Sequence, residues 1–116
     1  MYGPGCRQAA GGRFLEACLL CLLKEGETHG YALIDQLNEF ELIEGELDIS
    51  VLYRTLRSME KNNLVSSTWS DSSLGPRKRI YSITEEGQKG LVQWIELLKQ
   101  RKQRIEQIIS QYEKGL

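Results

Sequence analysis

The chain has 116 residues, room for one domain and not two. A composition 41% hydrophobic and 27% charged is that of a soluble globular protein, no apolar run reaches the roughly 18 residues of a bilayer span, and Met1–Cys6 lacks a signal-peptide core; the expectation is a cytoplasmic protein that contacts no membrane. The net charge of −1 hides a polarity: Glu25 to Asp48 carries eight acids and no Lys or Arg, whereas Ile49 to Ile83 carries six bases against Glu60 and Asp71. Such a division can make one face attractive to phosphate while the total stays near zero.

Residues 1–12 are Gly-rich and read as a flexible arm. A first helix is expected from about Arg13 to Lys24. Phe14, Leu15, Cys18, Leu19, Leu22 and Leu23 recur at helical spacing, and Ala17, Leu20 and Cys21 fill most of the remainder. A helix apolar nearly all round is buried on several sides. Gly26 suits its end. Thr28 is the expected cap of a second helix, His29 to about Asn38, with Tyr31, Leu33, Ile34 and Leu37 inward. An acidic connection follows, from Phe40 to Leu47.

Asp48 is placed to cap a third helix, Ile49 to about Asn62, its carboxylate complementing the helix dipole. This helix has two stripes. Ile49, Leu52, Leu56 and Met59 form an apolar one; Ser50, Arg54, Arg57 and Lys61 lie roughly opposite. A helix lying in a DNA major groove needs this division, with apolar groups on its own domain and donors toward bases and phosphates. Arg pairs with guanine through two bonds, so Ser50, Arg54 and Arg57 are the candidates for base contact. Lys61 suits phosphate, as does the hydroxyl of Tyr53 at the stripe boundary. A solvated basic face is the alternative reading of this helix taken alone.

Asn62-Asn63 is a turn signal. Leu64 to Ser70 alternates as a strand with Val65 and Trp69 on one face, and Arg79 to Ile83 does so with Tyr81 and Ile83. Between them Asp71 to Arg77 is a polar hairpin tip with Gly75-Pro76. Arg77, Lys78 and Arg79 repel one another unless an anion neutralises them, which makes all three candidates for phosphate contact. Thr84 caps a last helix running to about Tyr112 or beyond. Its Leu91, Ile95, Leu98, Lys102, Ile105, Ile109, Tyr112 and Leu116 alternate in steps of four and three, a heptad seam broken at Lys102. A helix this long cannot bury its seam on so small a domain, and a second copy is the simplest cover.

The fold class expected is therefore mainly α with a small β-hairpin: a winged helix-turn-helix over residues 13–83, followed by a long C-terminal dimerisation helix over residues 84–116. The expected homodimer interface comprises Phe14, Cys18, Leu22, Leu91, Ile95, Leu98, Ile105, Ile109 and Tyr112. If a small hydrophobic effector binds, Phe14, Cys18, Leu22, Trp94, Ile95 and Leu98 line the place for it; the alternative is a closed core. The partner expected of the basic surfaces is double-stranded DNA. A winged-helix protein-interaction adaptor, drawing on the acidic segment Glu39 to Asp48, is the competing reading.

Three cysteines make no disulfide framework. Cys18 and Cys21, with Cys6 and His29, outline a four-ligand metal site on paper. Their apolar setting favours buried cysteines acting as small hydrophobes, so no metal and no cofactor is expected. A single His without a nucleophile and base set argues against an enzyme.

His29-Gly30-Tyr31 with Leu33, Leu52-Tyr53 followed by Leu56, Met59-Glu60 and Leu64-Val65, and the run Gly75 to Gly87 resemble, in that order, the second helix, third helix and wing of the PadR family of bacterial transcription regulators. The resemblance spans about Phe14 to Leu98. It implies a homodimeric regulator, usually a repressor, whose C-terminal helix and first helix interlock with those of a second copy. The short tail resembles members with a single C-terminal helix. Asp48-Ile49-Ser50-Val51 departs from the small, Gly-containing turn common in that family, so the base contacts transfer less readily than the fold.

Overall fold

The computed structural model describes residues 4–70, 75 and 77–116, with side chains from Phe14 onward. Met1 to Gly3, most of the hairpin tip and the side chain of Cys6 lie outside the described residues. The elements are α1 (Pro4–Glu25), β1 (Thr28–His29), α2 (Gly30–Glu39), α3 (Ile49–Lys61), β2 (Val65–Trp69), β3 (Arg79–Ile83) and α4 (Glu85–Lys114). The helix expected from Arg13 starts at Pro4, within the stretch read as an arm. A proline in the first turn is compatible with helix, since its missing N–H has no partner there.

α1 is the centre of the core. Leu15, Ala17, Cys18, Leu19, Leu20, Leu22 and Leu23 are all buried, and the helix touches α2, α3, β3 and α4. Leu33 and Leu37 of α2, Leu52, Leu56 and Met59 of α3, Val65, Tyr81 and Leu91 complete the cluster. Leu42, Ile43 and Leu47 of the acidic connection pack against it from the side.

Both α2 and α3 end in the same manner. The N–H of Glu41 reaches Asn38 and that of Leu42 reaches Leu37; likewise Asn63 reaches Glu60 and Leu64 reaches Met59. Glu41 and Asn63 take left-handed φ values of 53° and 63° to close these turns. At the second turn Thr84 ties α4 down: its hydroxyl donates to the Asn63 carbonyl at 2.6 Å and its N–H to Leu64 at 3.1 Å. The same hydroxyl accepts from the N–H of Gly87, making Thr84 the expected cap. A Cβ on Gly87 would collide with the carbonyl oxygen of Leu64, so glycine is required there.

The hairpin carries a third strand that the sequence reading did not contain. β1 pairs with β3, Thr28 opposite Tyr81 and His29 opposite Ile80, giving an antiparallel sheet in the order β1-β3-β2. His29, not Thr28, caps α2, with Nδ1 accepting from the N–H of Ala32 at 3.4 Å. Two residues are too short for periodicity to reveal a strand; their pairing depends on β3, some fifty positions away.

Candidate nucleic-acid interface

Asp48 takes an extended conformation and accepts from both the N–H (2.9 Å) and the hydroxyl (2.8 Å) of Ser50, fixing the start of α3. These bonds stabilise the carboxylate and lower the pKa of Asp48, the backbone bond contributing most. The two predicted stripes then separate. Leu52, Leu56 and Met59 are buried and Ile49 packs beside them, while Ser50, Arg54, Arg57 and Lys61 are exposed.

Tyr53 lies between the stripes, half-buried across the first turn of α2. A Cβ on Gly30 would fall 2.6 Å from its hydroxyl. Gly30 is thus the position that lets α3 approach α2 so closely. Burial, with Tyr31 adding to it, raises the pKa of Tyr53, so its hydroxyl is a neutral donor.

In the sheet, Val65, Ser67 and Trp69 stand opposite Ile83, Tyr81 and Arg79 on the face toward α3. Val65 and Tyr81 are buried, and exposure rises along the hairpin to Trp69, 54% exposed. Ser70 and Lys78 close the ladder through paired bonds of 2.7 and 3.1 Å. Between the hairpin, α3 and the start of α2 is an open groove of about 700 Å³. Among the described residues, Arg57, Lys61, Arg77, Lys78 and Arg79 line it, Glu60 is its only acid, and Tyr31, Tyr53, Trp69 and Tyr81 supply aromatic walls. The structure therefore brings together six of the eight expected DNA contacts as one surface: Tyr53, Arg57, Lys61, Arg77, Lys78 and Arg79. Ser50 and Arg54 stand on the same exposed face of α3, outside the groove lining.

Arg79 differs from its neighbours. Its Nε donates to Ser67 Oγ at 2.8 Å, its Nη2 lies 3.8 Å from Glu60 Oε1, and its guanidinium sits 5.2 Å from the centroid of the Trp69 ring. Ser67 in turn donates to Glu60 Oε2 at 2.7 Å. Sequence reading had no hold on Ser67 or Glu60 here. The one signal was Glu60 itself, a lone acid inside a basic stripe.

Away from the groove, Cys18 is buried and Cys21 exposed, although three residues apart. Burial, reinforced by Cys21, pushes the Cys18 thiol up to about 11, leaving it neutral and inert at ordinary pH. Among the described residues no three His, Cys, Asp or Glu side chains cluster to hold a metal. Also among the described residues, no helix is long and apolar enough to cross a membrane.

On α4, Leu91 is buried against the winged domain, but Ile95, Ile105, Ile109 and Tyr112 are exposed, as is Leu116 just beyond the helix. Of the expected interface, Cys18, Leu22 and Leu91 are already covered within one chain, and Phe14 and Leu98 are half-buried. Two grooves of about 240 Å³ flank the crossing of α1 and α4; Trp94 lines one and Ile95 the other.

Three helices, the third exposing a basic stripe beside a basic two-stranded wing, define a winged helix-turn-helix protein. The chain matches the Transcriptional regulator PadR-like family over residues 19–93, well over half its length, and belongs to that family. No curated protein matches it. A crystal structure of a conserved protein of unknown function, described as a potential transcriptional factor, is similar at 32% identity and a TM-score of 0.78, covering 91% of this chain and 93% of that one. A PadR-like transcription factor from Bacteroides fragilis follows at 25% identity and a TM-score of 0.74, covering 90% and 98%. Bacillus subtilis PadR, solved in complex with operator DNA, shares the fold at 22% identity and a TM-score of 0.63; the alignment covers 70% of this chain and 46% of that protein.

Proposed function

We propose that this regulator is a homodimeric repressor that binds double-stranded DNA at an inverted-repeat operator. The observation that carries the proposal is the groove of about 700 Å³ joining the exposed stripe of α3 to the wing, with five Lys and Arg side chains against one acid among the described residues. Residues 13–83 form the DNA-binding part and residues 84–116 the pairing helix. Arg54 and Arg57 are the base readers with Ser50 beside them; Lys61, Arg77, Lys78 and the Tyr53 hydroxyl contact phosphate. B. subtilis PadR, a fold relative solved in complex with operator DNA, supports DNA as the partner.

Dimerisation is supported by the bare seam of α4. Its Ile105, Ile109 and Tyr112 are at least 50% exposed in a single chain. A two-fold pair of reading helices corresponds to two half-sites about one helical turn apart. A small hydrophobic effector is a further part of the proposal, and its support is that Trp94 and Ile95 each line a groove beside the crossing of α1 and α4, the helices proposed to pair. Such a ligand acts only through unequal affinity for two spacings of the reading heads.

Selection of bound sequences from random duplex DNA tests the reading. Recovery of an inverted repeat supports it; no enrichment leaves the adaptor function in its place. On the selected duplex, Arg57→Ala is expected to cost roughly 1–3 kcal/mol and to relax preference at one position. Arg77→Ala is expected to weaken selected and scrambled duplexes equally and to reduce the salt slope by about 0.9. Trp fluorescence in a Trp69→Phe background, titrated with planar apolar compounds, tests the effector; a response that never saturates ends that part.

A further inference from the structure

Three basic residues stand side by side on the wing, yet their surroundings are not alike. Arg77 and Lys78 precede β3 and are exposed. Arg79 opens β3 and faces Trp69, the last register pair before the hairpin tip. At this distal end a strand pair has few neighbours to hold its direction, and a two-stranded ribbon twists readily. What holds it here is a chain of polar contacts leading back to the last turns of α3. Arg79 donates to Ser67, Ser67 donates to Glu60, and Arg79 pairs with Glu60 while lying on the Trp69 ring.

Each partner is used in a manner that suits it. The guanidinium fork offers several donors in one plane, so a single side chain can meet the serine and the carboxylate at once. Its guanidinium carbon lies over the Trp69 ring, 5.2 Å from the centroid and within reach of a cation–π attraction. Glu60, although within a basic groove, has both carboxylate oxygens turned to this network. The ion pair by itself is long and partly exposed and contributes little. Its value is geometric, because it joins two elements that would both contact DNA.

We infer that Arg79 is a strut and not a phosphate contact: with Glu60, Ser67 and Trp69 it fixes the angle between the wing and the reading helix, making these four residues positioning residues for sequence recognition. The inference rests on the DNA-binding reading above. Base contacts from α3 and phosphate contacts from Arg77 and Lys78 must be satisfied together on a specific site. On a non-specific site the wing needs only to find phosphate. A loosened wing therefore loses discrimination before it loses general affinity.

The test uses the full chain and compares Arg79→Ala, Arg79→Lys, Glu60→Gln and Arg77→Ala. Affinity is measured over a salt series on a duplex recovered by selection and on a scrambled one. A strut predicts that Arg79→Ala and Arg79→Lys both weaken the selected duplex roughly ten-fold, the size of coupling expected for residues in one network. Scrambled duplex and salt slope stay as in the wild type. Lysine keeps the charge but lacks the fork, so it does not rescue. Glu60→Gln lowers the ratio of selected to scrambled affinity in the same direction, and combining it with Arg79→Ala adds little further. A loss equal on both duplexes with a slope reduced by about 0.9, rescued by lysine, makes Arg79 a phosphate contact and overturns the inference. So does a Glu60→Gln variant that binds both duplexes more tightly, since that would make Glu60 a screen on Arg79.

A DNA-free measurement keeps the outcome independent of folding losses. In a Trp94→Phe background Trp69 is the sole tryptophan. Arg79→Ala should shift its emission while the thermal midpoint and helical signal hold; unchanged emission means that the stack is absent in solution. A wild-type chain that binds neither duplex defeats the DNA-binding reading itself, whereas normal wild-type binding with Arg79→Lys intact defeats the strut alone.

Discussion

Helix α1 and the second half of α4 each carry apolar side chains at helical spacing, and the two sets have opposite fates. In α1, seven consecutive-turn positions from Leu15 to Leu23 are buried within one chain. In α4, every residue from Arg101 onward is exposed, including Ile105, Ile108, Ile109 and Tyr112. Both are legible as helices from spacing, but spacing does not say what covers an apolar stripe. α1 is surrounded by α2, α3, β3 and the first half of α4. The 30-residue α4 runs out of domain to lean on, as the 63 Å long axis of the molecule shows. One seam is covered by the fold, and the other is bare in the single chain.

That contrast is best broken by substituting one residue in each seam. Leu19→Ala removes a side chain with no exposure at the centre of the core. It should cost about 2–5 kcal/mol of unfolding free energy through lost burial and an unfilled cavity. The thermal midpoint should fall in proportion as much in dilute as in concentrated protein. Ile105→Asp, at a position 57% exposed in one chain, should leave the winged domain's stability nearly unchanged. Its expected effect is on assembly: a charge placed in an apolar contact disfavours the pair by on the order of 2–3 kcal/mol. Sedimentation at micromolar concentration checks it. A dimer that persists would move the principal interface away from this part of α4.

A third position sharpens the comparison, because it carries the tightness of the core into the candidate site. Gly30→Ala directs a methyl at the Tyr53 ring. Overpacking of this kind costs about 1–3 kcal/mol, and the two helices α2 and α3 must move apart to relieve it. Combining it with Tyr53→Ala should restore part of the stability. Unfolding curves of the four proteins in the cycle measure the coupling, and purely additive losses would show that the ring is not what Gly30 makes room for.

The legible parts of this molecule were those set by local spacing. The Leu52, Leu56 and Met59 stripe, the Asp48 and Thr84 caps and the strand of Arg79 to Ile83 depend on residues within a turn or two of each other. β1 did not have that quality, since Thr28 and His29 become a strand only by meeting Tyr81 and Ile80. The grouping of Tyr31, Tyr53 and Trp69 beside the basic residues was hidden for the same reason. So was the tether of Arg79 to Ser67 and Glu60, which joins two elements through side chains no periodicity aligns. Helix α1 beginning at Pro4 also escaped, because Gly11 and Gly12 are poor helix formers and mask a continuous run.

The smallest expected effect lies at the start of α3, where Asp48 is exposed like the end of α4 yet has a defined partner. Its carboxylate accepts two bonds from Ser50, and its pKa is lowered below the ordinary 3.8. A folded-state pKa below the unfolded one means that the charged form favours folding. The contribution is present above the unfolded value and is lost as pH falls through the folded one. The window is therefore acidic, from about pH 5 downward, and nothing of it is visible near neutrality. Asp48→Asn is the informative variant, since asparagine still caps a helix and cannot titrate. Near neutral pH the wild type should melt slightly higher, because a carboxylate also complements the helix dipole. That margin should shrink on acidification by roughly a degree or two and vanish once Asp48 is protonated. Thermal midpoints of both proteins at several pH values would show it, and parallel curves throughout would mean that the Asp48 carboxylate and Ser50 are not coupled in solution.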